Sequence, residues 1–269
     1  MSMKTCLEQV YFKTIVLLLM GLAAMTLLSG CGNEAKAVNG AMDIDLAALP
    51  TEIVDPMQWS DEAEDIYLLA QLPEDDIYLY GLSDKRHVLL RQGEQRALLD
   101  WEYITPRLIL PEMQFADFDG DGGKELAVIL SNGSGTGVSI EELHIVNWLG
   151  TEAIDHVYDA EEYQKQLSEQ VSWRYDAQNH KATLHCGYLD VYLNDGLGTR
   201  YDEVQSIAPF GEQVDFELRE DGRIKVNFAL GLLRPEEVVP DYHGAISAEV
   251  TYSKGKFSMD PNTMLYKEE

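Results

Sequence analysis

Apolar and polar residues alternate in short bursts through most of this chain. From Ile77 onward the bursts 77-IYLYGL-82, 86-RHVLLRQ-92 and 96-RALLDW-101 are broken at Gly81–Asp84 and Gln92–Gln95. Strand-length runs between turn-forming residues predict an antiparallel meander. The next segment, 103-YITPRLILPEM-113, holds two prolines and reads as an edge strand or a connector. Residues 126-LAVIL-130 are uninterrupted apolar and read as a buried strand. A helix is expected near Asp159, with Glu162 completing a capping box. Tyr163, Leu167, Val171 and Tyr175 then recur every four residues as its apolar face.

Alternation returns in the C-terminal third. Val214, Phe216 and Leu218 alternate with Asp215, Glu217 and Arg219 up to a two-residue Asp221-Gly222 turn. Ile224, Val226 and Phe228 answer on the return strand, as in a β-hairpin. A second hairpin is expected around Lys254-Gly255, between 245-AISAEVTY-252 and 256-KFSM-259. The class predicted is mainly β, built of antiparallel meander and hairpins, with one substantial amphipathic helix, at the α+β border. The acidic stretch from Asp43 to Asp76 has weak periodicity and reads as an extended lead-in.

The first thirty residues stand apart. Lys4 and Lys13 precede or open an uncharged apolar run, 14-TIVLLLMGLAAMTL-27, of signal-peptide length and short for a membrane span. It is followed by 28-LSGC-31, which resembles the lipobox of bacterial lipoproteins. The resemblance implies cleavage before Cys31 and lipid on Cys31, which would anchor the protein to the membrane. An uncleaved signal anchor would equally place the domain outside the membrane. On this reading residues 1–30 are a signal peptide, 31–43 a small polar tether, and 44–269 the extracytoplasmic domain.

The formal net charge of −27 disfavours nucleic acid and anionic lipid surfaces, and suits cations or basic partners. Of the three cysteines, Cys6 would leave with the signal and Cys31 would carry lipid. Cys186 alone cannot form an internal disulfide, and its strand-like surroundings mark it as a small buried hydrophobe. Stability must then come from the core or from a metal.

The acids concentrate in 117-DFDGDGGKE-125. With Asp117 as position 1, Asp119, Asp121 and Glu125 occupy positions 3, 5 and 9. Alternate positions of a tight loop can turn toward one centre, and Gly120 and Gly122 permit the curl. Converging carboxylates repel unless a hard cation neutralises them, and an all-oxygen donor set suits calcium. An acidic surface turn without an ion is the competing reading. An EF-hand is excluded, because position 12 is Val128 and an apolar strand follows in place of a helix. The pattern resembles the calcium loops of FG-GAP and VCBS repeats, which lie between two strands. That resemblance implies Asp117, Asp119, Asp121 and Glu125 as side-chain ligands and Gly123 as a carbonyl ligand of Ca2+. Those families build propellers from several copies, and this chain has one. The loop and the site therefore carry over, while the fold stays open between sandwich-like and partial propeller-like. The whole chain resembles uncharacterised clostridial-type calcium-loop lipoproteins, a resemblance that implies no activity.

The glycine-rich stretch 131-SNGSGTGVSIEELHIV-146 follows the strand. It lacks the Gly-Lys-Ser/Thr ending of a phosphate loop, so no nucleotide is expected. It reads as a flexible loop near the ion, with Thr136, Ser139 and Glu141 as candidate ligand contacts. No HExxH, G-x-S-x-G or cysteine–histidine signature occurs, and the six histidines read singly as surface or core residues. The function expected is an exported, lipid-anchored, non-catalytic binding or structural module. The alternatives are a cell-envelope hydrolase with a structural calcium ion and an accessory subunit of a membrane or wall complex.

Overall fold

The computed structural model describes residues 34–35, 45–59, 65–176, 178, 181–194, 206–207, 213–233 and 241–268. The expected signal peptide, Cys31 and most of the tether lie outside these residues. Within the tether, Glu34–Ala35 forms β1.

The predicted meander is present and starts one strand early. Strands β2 (Ile66–Leu72), β3 (Ile77–Leu82), β4 (Val88–Gln92) and β5 (Gln95–Leu99) form an antiparallel sheet in chain order. The acidic lead-in thus contributes β2 as well as extended chain. Leu69, Leu79, Val88, Leu90 and Leu99 face one side of this sheet, whereas Leu68, Tyr80 and Leu89 face the other and meet Leu49.

The central sheet comprises β6 (Glu112–Ala116), β7 (Glu125–Gly135), β8 (Val138–Leu149) and β9 (Glu152–Tyr158), with β1 antiparallel at its edge on β9. The proline segment is a connector with a 3-10 turn at Pro106–Leu108, after which β6 takes the opposite edge. Strand β7 is buried on both faces over its first six residues, which is why it reads as an unbroken apolar run. Leu126, Val128 and Leu130 pack toward the first sheet, and Ala127 and Ile129 toward the C-terminal sheet. The glycine-rich stretch is not a free loop. Strands β7 and β8 pair out to Gly135 and Val138, leaving only Thr136 and Gly137 to turn.

Helix α1 spans Ala160–Gln170. Glu162 N–H donates to Asp159 Oδ1 at 2.9 Å, the expected cap. The helix stops one turn earlier than the four-residue spacing predicts. Val171 opens β10 (Val171–Asp176), which pairs with β11 (Lys181–Cys186) and then β12 (Leu189–Asn194). Val171, Trp173 and Tyr175 also alternate with period two, and pairing to β11 prevails over the helical register. Cys186 is fully buried, its thiol pushed up to about 11 by burial.

The C-terminal sheet runs β13 (Ser206–Ile207), β15 (Ile224–Leu233), β16 (Asp241–Ser253) and β17 (Lys256–Glu268), with β14 (Val214–Leu218) also on β15. Both expected hairpins form, and β17 is longer than predicted, but the first turns over three residues, Glu220, Asp221 and Gly222, with Arg219 N–H donating to Arg223 O, in place of the two-residue Asp221-Gly222 turn. In the second turn Lys254 and Gly255 have φ of 52° and 76°, as a two-residue turn between twisted strands requires. Tyr158 organises the core between this sheet and the central one. Its ring stacks on Phe257 at 5.0 Å and meets Tyr163 and Phe216 edge-on at 5.8 and 6.0 Å. Its hydroxyl donates to Gln166 Oε1, which also accepts Met259 N–H and so ties α1 to β17. Tyr158→Ala should cost about 3–5 kcal/mol in urea unfolding and Tyr158→Phe only about 1 kcal/mol, because the second change keeps the ring cluster.

Candidate metal centre

The acidic loop joins edge strand β6 to central strand β7. Phe118 pins it, burying its ring in the core between Asp117 and Asp119. Its N–H donates to Glu125 Oε2 at 2.8 Å, so the last acid of the loop grips the second residue. Gly120 and Gly122 have φ of 76° and 93°, a curl that L side chains resist. The loop also rests on the β14–β15 turn. Gln114 Nε2 donates to Arg219 O at 2.8 Å, and a Cβ on Gly222 would stand 3.1 Å from Asp117 O.

Ligand atoms of Asp117, Asp119 and Glu125 all lie within 4.8 Å of one another. Asp121 is outside this trio, and its Oδ1 accepts Gly123 N–H at 2.7 Å. Gly123 passes beside the site: a Cβ on it would stand 2.9 Å from Asp121 Oδ1 and 3.6 Å from Glu125 Oε1. Asp117 accepts Gly120 N–H at 2.7 Å and Gly122 N–H at 3.0 Å, and Asp119 accepts Asp121 N–H at 3.0 Å. These inward N–H groups preorganise the carboxylates and offset part of their charge.

Glu125 differs from the others because it is 5% exposed. Burial pushes its carboxyl group up, and Asp119 and Asp117 add to this, against the Phe118 N–H bond. Two full charges at such separations repel by about 3.5 kcal/mol at an effective dielectric near 20. The donors are all hard oxygens, with no nitrogen or sulfur, so the residues fit an oxygen-seeking divalent cation.

The second candidate site separates. Thr136 and Ser139 are exposed on the β7–β8 hairpin. Glu141 turns inward, where its Oε2 accepts Phe216 N–H from β14 at 2.8 Å.

A polar cluster that the sequence did not reveal lies on the opposite face of the central sheet. Asp155 is 1% exposed and accepts Trp101 Nε1–H at 2.6 Å. His144 Nδ1 lies 3.1 Å from the same carboxylate, and its ring lies 4.1 Å from the Trp101 ring. His144 Nε2 is buried without a hydrogen-bond partner among the described residues, 4.0 Å from Glu142 Oε2. The β8–β9 register creates this cluster, since His144 faces Val157 and Asp155 faces Val146. Its only local signal is a polar residue within each apolar run. His185 pairs with Asp190 on the neighbouring strand β12, and His180 lies outside the described residues.

No family model, curated protein or solved structure matches the chain. The geometry therefore carries the functional reading.

Asp155→Ala strands the buried Trp101 Nε1–H and removes the partner of the buried His144 Nδ1. It should cost about 3–5 kcal/mol in urea unfolding, by the same amount with and without calcium.

Proposed function

We propose that this chain is an exported, lipid-anchored surface protein whose β domain is stabilised by one calcium ion, serving as a non-catalytic binding or structural module. The observation that carries the ion is the convergence of Asp117, Asp119 and Glu125 at a strand junction where Glu125 is buried. A cation there would neutralise the carboxylates and fix the turn from β6 into β7. Calcium suits the site because it accepts many oxygen ligands in flexible geometry. Asp121, the Gly123 carbonyl or water would complete the shell. Anchoring rests on the charged start, the apolar run and the 28-LSGC-31 motif, with Cys31 as the lipidated residue. The structural reading is further supported by Glu141, whose carboxylate is committed to holding a strand.

Extracellular calcium modules bind at about 10⁻⁴ to 10⁻³ M. At about one-hundred-fold excess over Kd the ion adds about 2.7 kcal/mol, which corresponds to a rise in Tm of about 5–10 °C for a domain of this size. Differential scanning calorimetry should show that rise with calcium, and Asp119→Asn should remove most of it. An unchanged melt in saturating calcium would refute the proposal.

A further inference from the structure

We infer that the lipid-anchored domain meets the bilayer at one defined point, the tip of the β7–β8 hairpin around Thr136, with the acidic loop at the far end of the same strands turned away. This orientation rests on the proposed lipidation of Cys31. The partner is the headgroup layer of the membrane that holds the lipid.

Strand β1 is the strap that sets the orientation. It pairs antiparallel with β9, Ala35 facing Asp155 and Glu34 facing His156. Followed back toward Cys31, the chain therefore leaves Glu34 in the direction of Tyr158, where β9 ends. Cys31 precedes Glu34 by three residues, a reach of about 10 Å at full extension. With about 5 Å across the strand pair, His156 stands no more than about 15 Å from a lipid-bearing Cys31. A tether this short confines the domain, where a long flexible one would let it tumble.

Strand register decides what lies at that end of the central sheet. Leu143 pairs with Tyr158, and β8 extends from Leu143 back to Val138, about 17 Å further along the strand. The tip at Thr136–Gly137 thus projects beyond the point where the strap leaves, and it meets the bilayer before the rest of the sheet. Asp159, which follows Tyr158 and caps α1, stands level with the start of that projection and so behind the tip. Leu126 pairs with Val146 toward the other end of β8, which places the acidic loop beyond it. Tip and acidic loop are then about 30 Å apart, several Debye lengths at physiological salt.

The chemistry of the tip suits this contact. Residues 131-SNGSGTGVSI-140 carry no charge, on a chain of net charge −27. Ser134, Thr136 and Ser139 are exposed and offer hydroxyl groups to headgroup phosphates and esters. The tip is braced against the C-terminal sheet: Tyr242 donates its hydroxyl to Gly137 O at 2.7 Å, and Ser139 bridges Gln213. The opposite end holds Asp117, Asp119, Asp121 and Glu125, which an anionic leaflet would repel. A single orientation therefore satisfies both the strap and the charge.

Paired labels on the full chain, purified from membranes and placed in phosphatidylcholine vesicles, test the orientation. Thr136 and Thr151 are both exposed, at opposite ends of β8, and Cys186 is fully buried away from the label. Bimane on Thr136→Cys should lose most of its fluorescence to a spin label on the lipid headgroup. Bimane on Thr151→Cys should lose almost none, since the two positions stand about 40 Å apart. A flexible Gly/Ser insert between Asn33 and Glu34 should bring the two labels level, because the strap sets the orientation. Mass spectrometry of the Cys31 peptide is read alongside. A peptide without lipid refutes the anchor and the orientation with it. Lipid on Cys31 with equal quenching at the two positions, or stronger quenching at Thr151→Cys, overturns the orientation alone, as does a difference that survives the insert.

Discussion

Glu125 is at once the last acid of the loop and the first residue of a strand with protein on both faces. Its side chain is held at 5% exposure by the strand's place, and shifting β7 by one residue would exchange the two apolar faces it supplies. The central sheet contributes to two cores at once: Leu126, Val128 and Leu130 to one, Ala127 and Ile129 to the other. The charge at the start of β7 is thus a condition on both layers. Phe118 N–H answers it in part, and in our reading a calcium ion held with Asp117 and Asp119 completes the neutralisation.

Two further acids bridge elements of this fold, Asp155 buried and Glu141 half-buried. Asp155 accepts Trp101 Nε1–H and lies 3.1 Å from His144 Nδ1, joining the segment after β5 to the central sheet. Glu141 receives a single N–H, has Asp215 and Glu112 as neighbours, and joins the central sheet to β14.

Much of the fold is legible locally. Both C-terminal hairpins follow from period-two alternation around Asp221-Gly222 and Lys254-Gly255, and α1 begins where Asp159 caps it. Its end was not legible, because Val171 and Tyr175 satisfy a helical and a strand period together, and only pairing with β11 decides. Strand β2 was hidden because it presents apolar residues to both sides of its sheet. The acidic loop was legible because its residues are neighbours in sequence. Asp121 lies outside the converging trio, its Oδ1 accepting Gly123 N–H, and spacing alone does not reveal this. The roles of Glu141, His144 and Asp155 depend on strand register and on partners such as Trp101 and Phe216, far away along the chain.

The central claim is that three carboxylates around the start of β7 share one ion. Isothermal calorimetric titration of the purified protein with calcium tests it most directly. The account predicts one calcium per chain, with Kd of about 10⁻⁴ to 10⁻³ M, and loss of the binding heat in both Asp117→Asn and Glu125→Gln. Absence of binding at millimolar calcium, or binding that survives both substitutions, would contradict it.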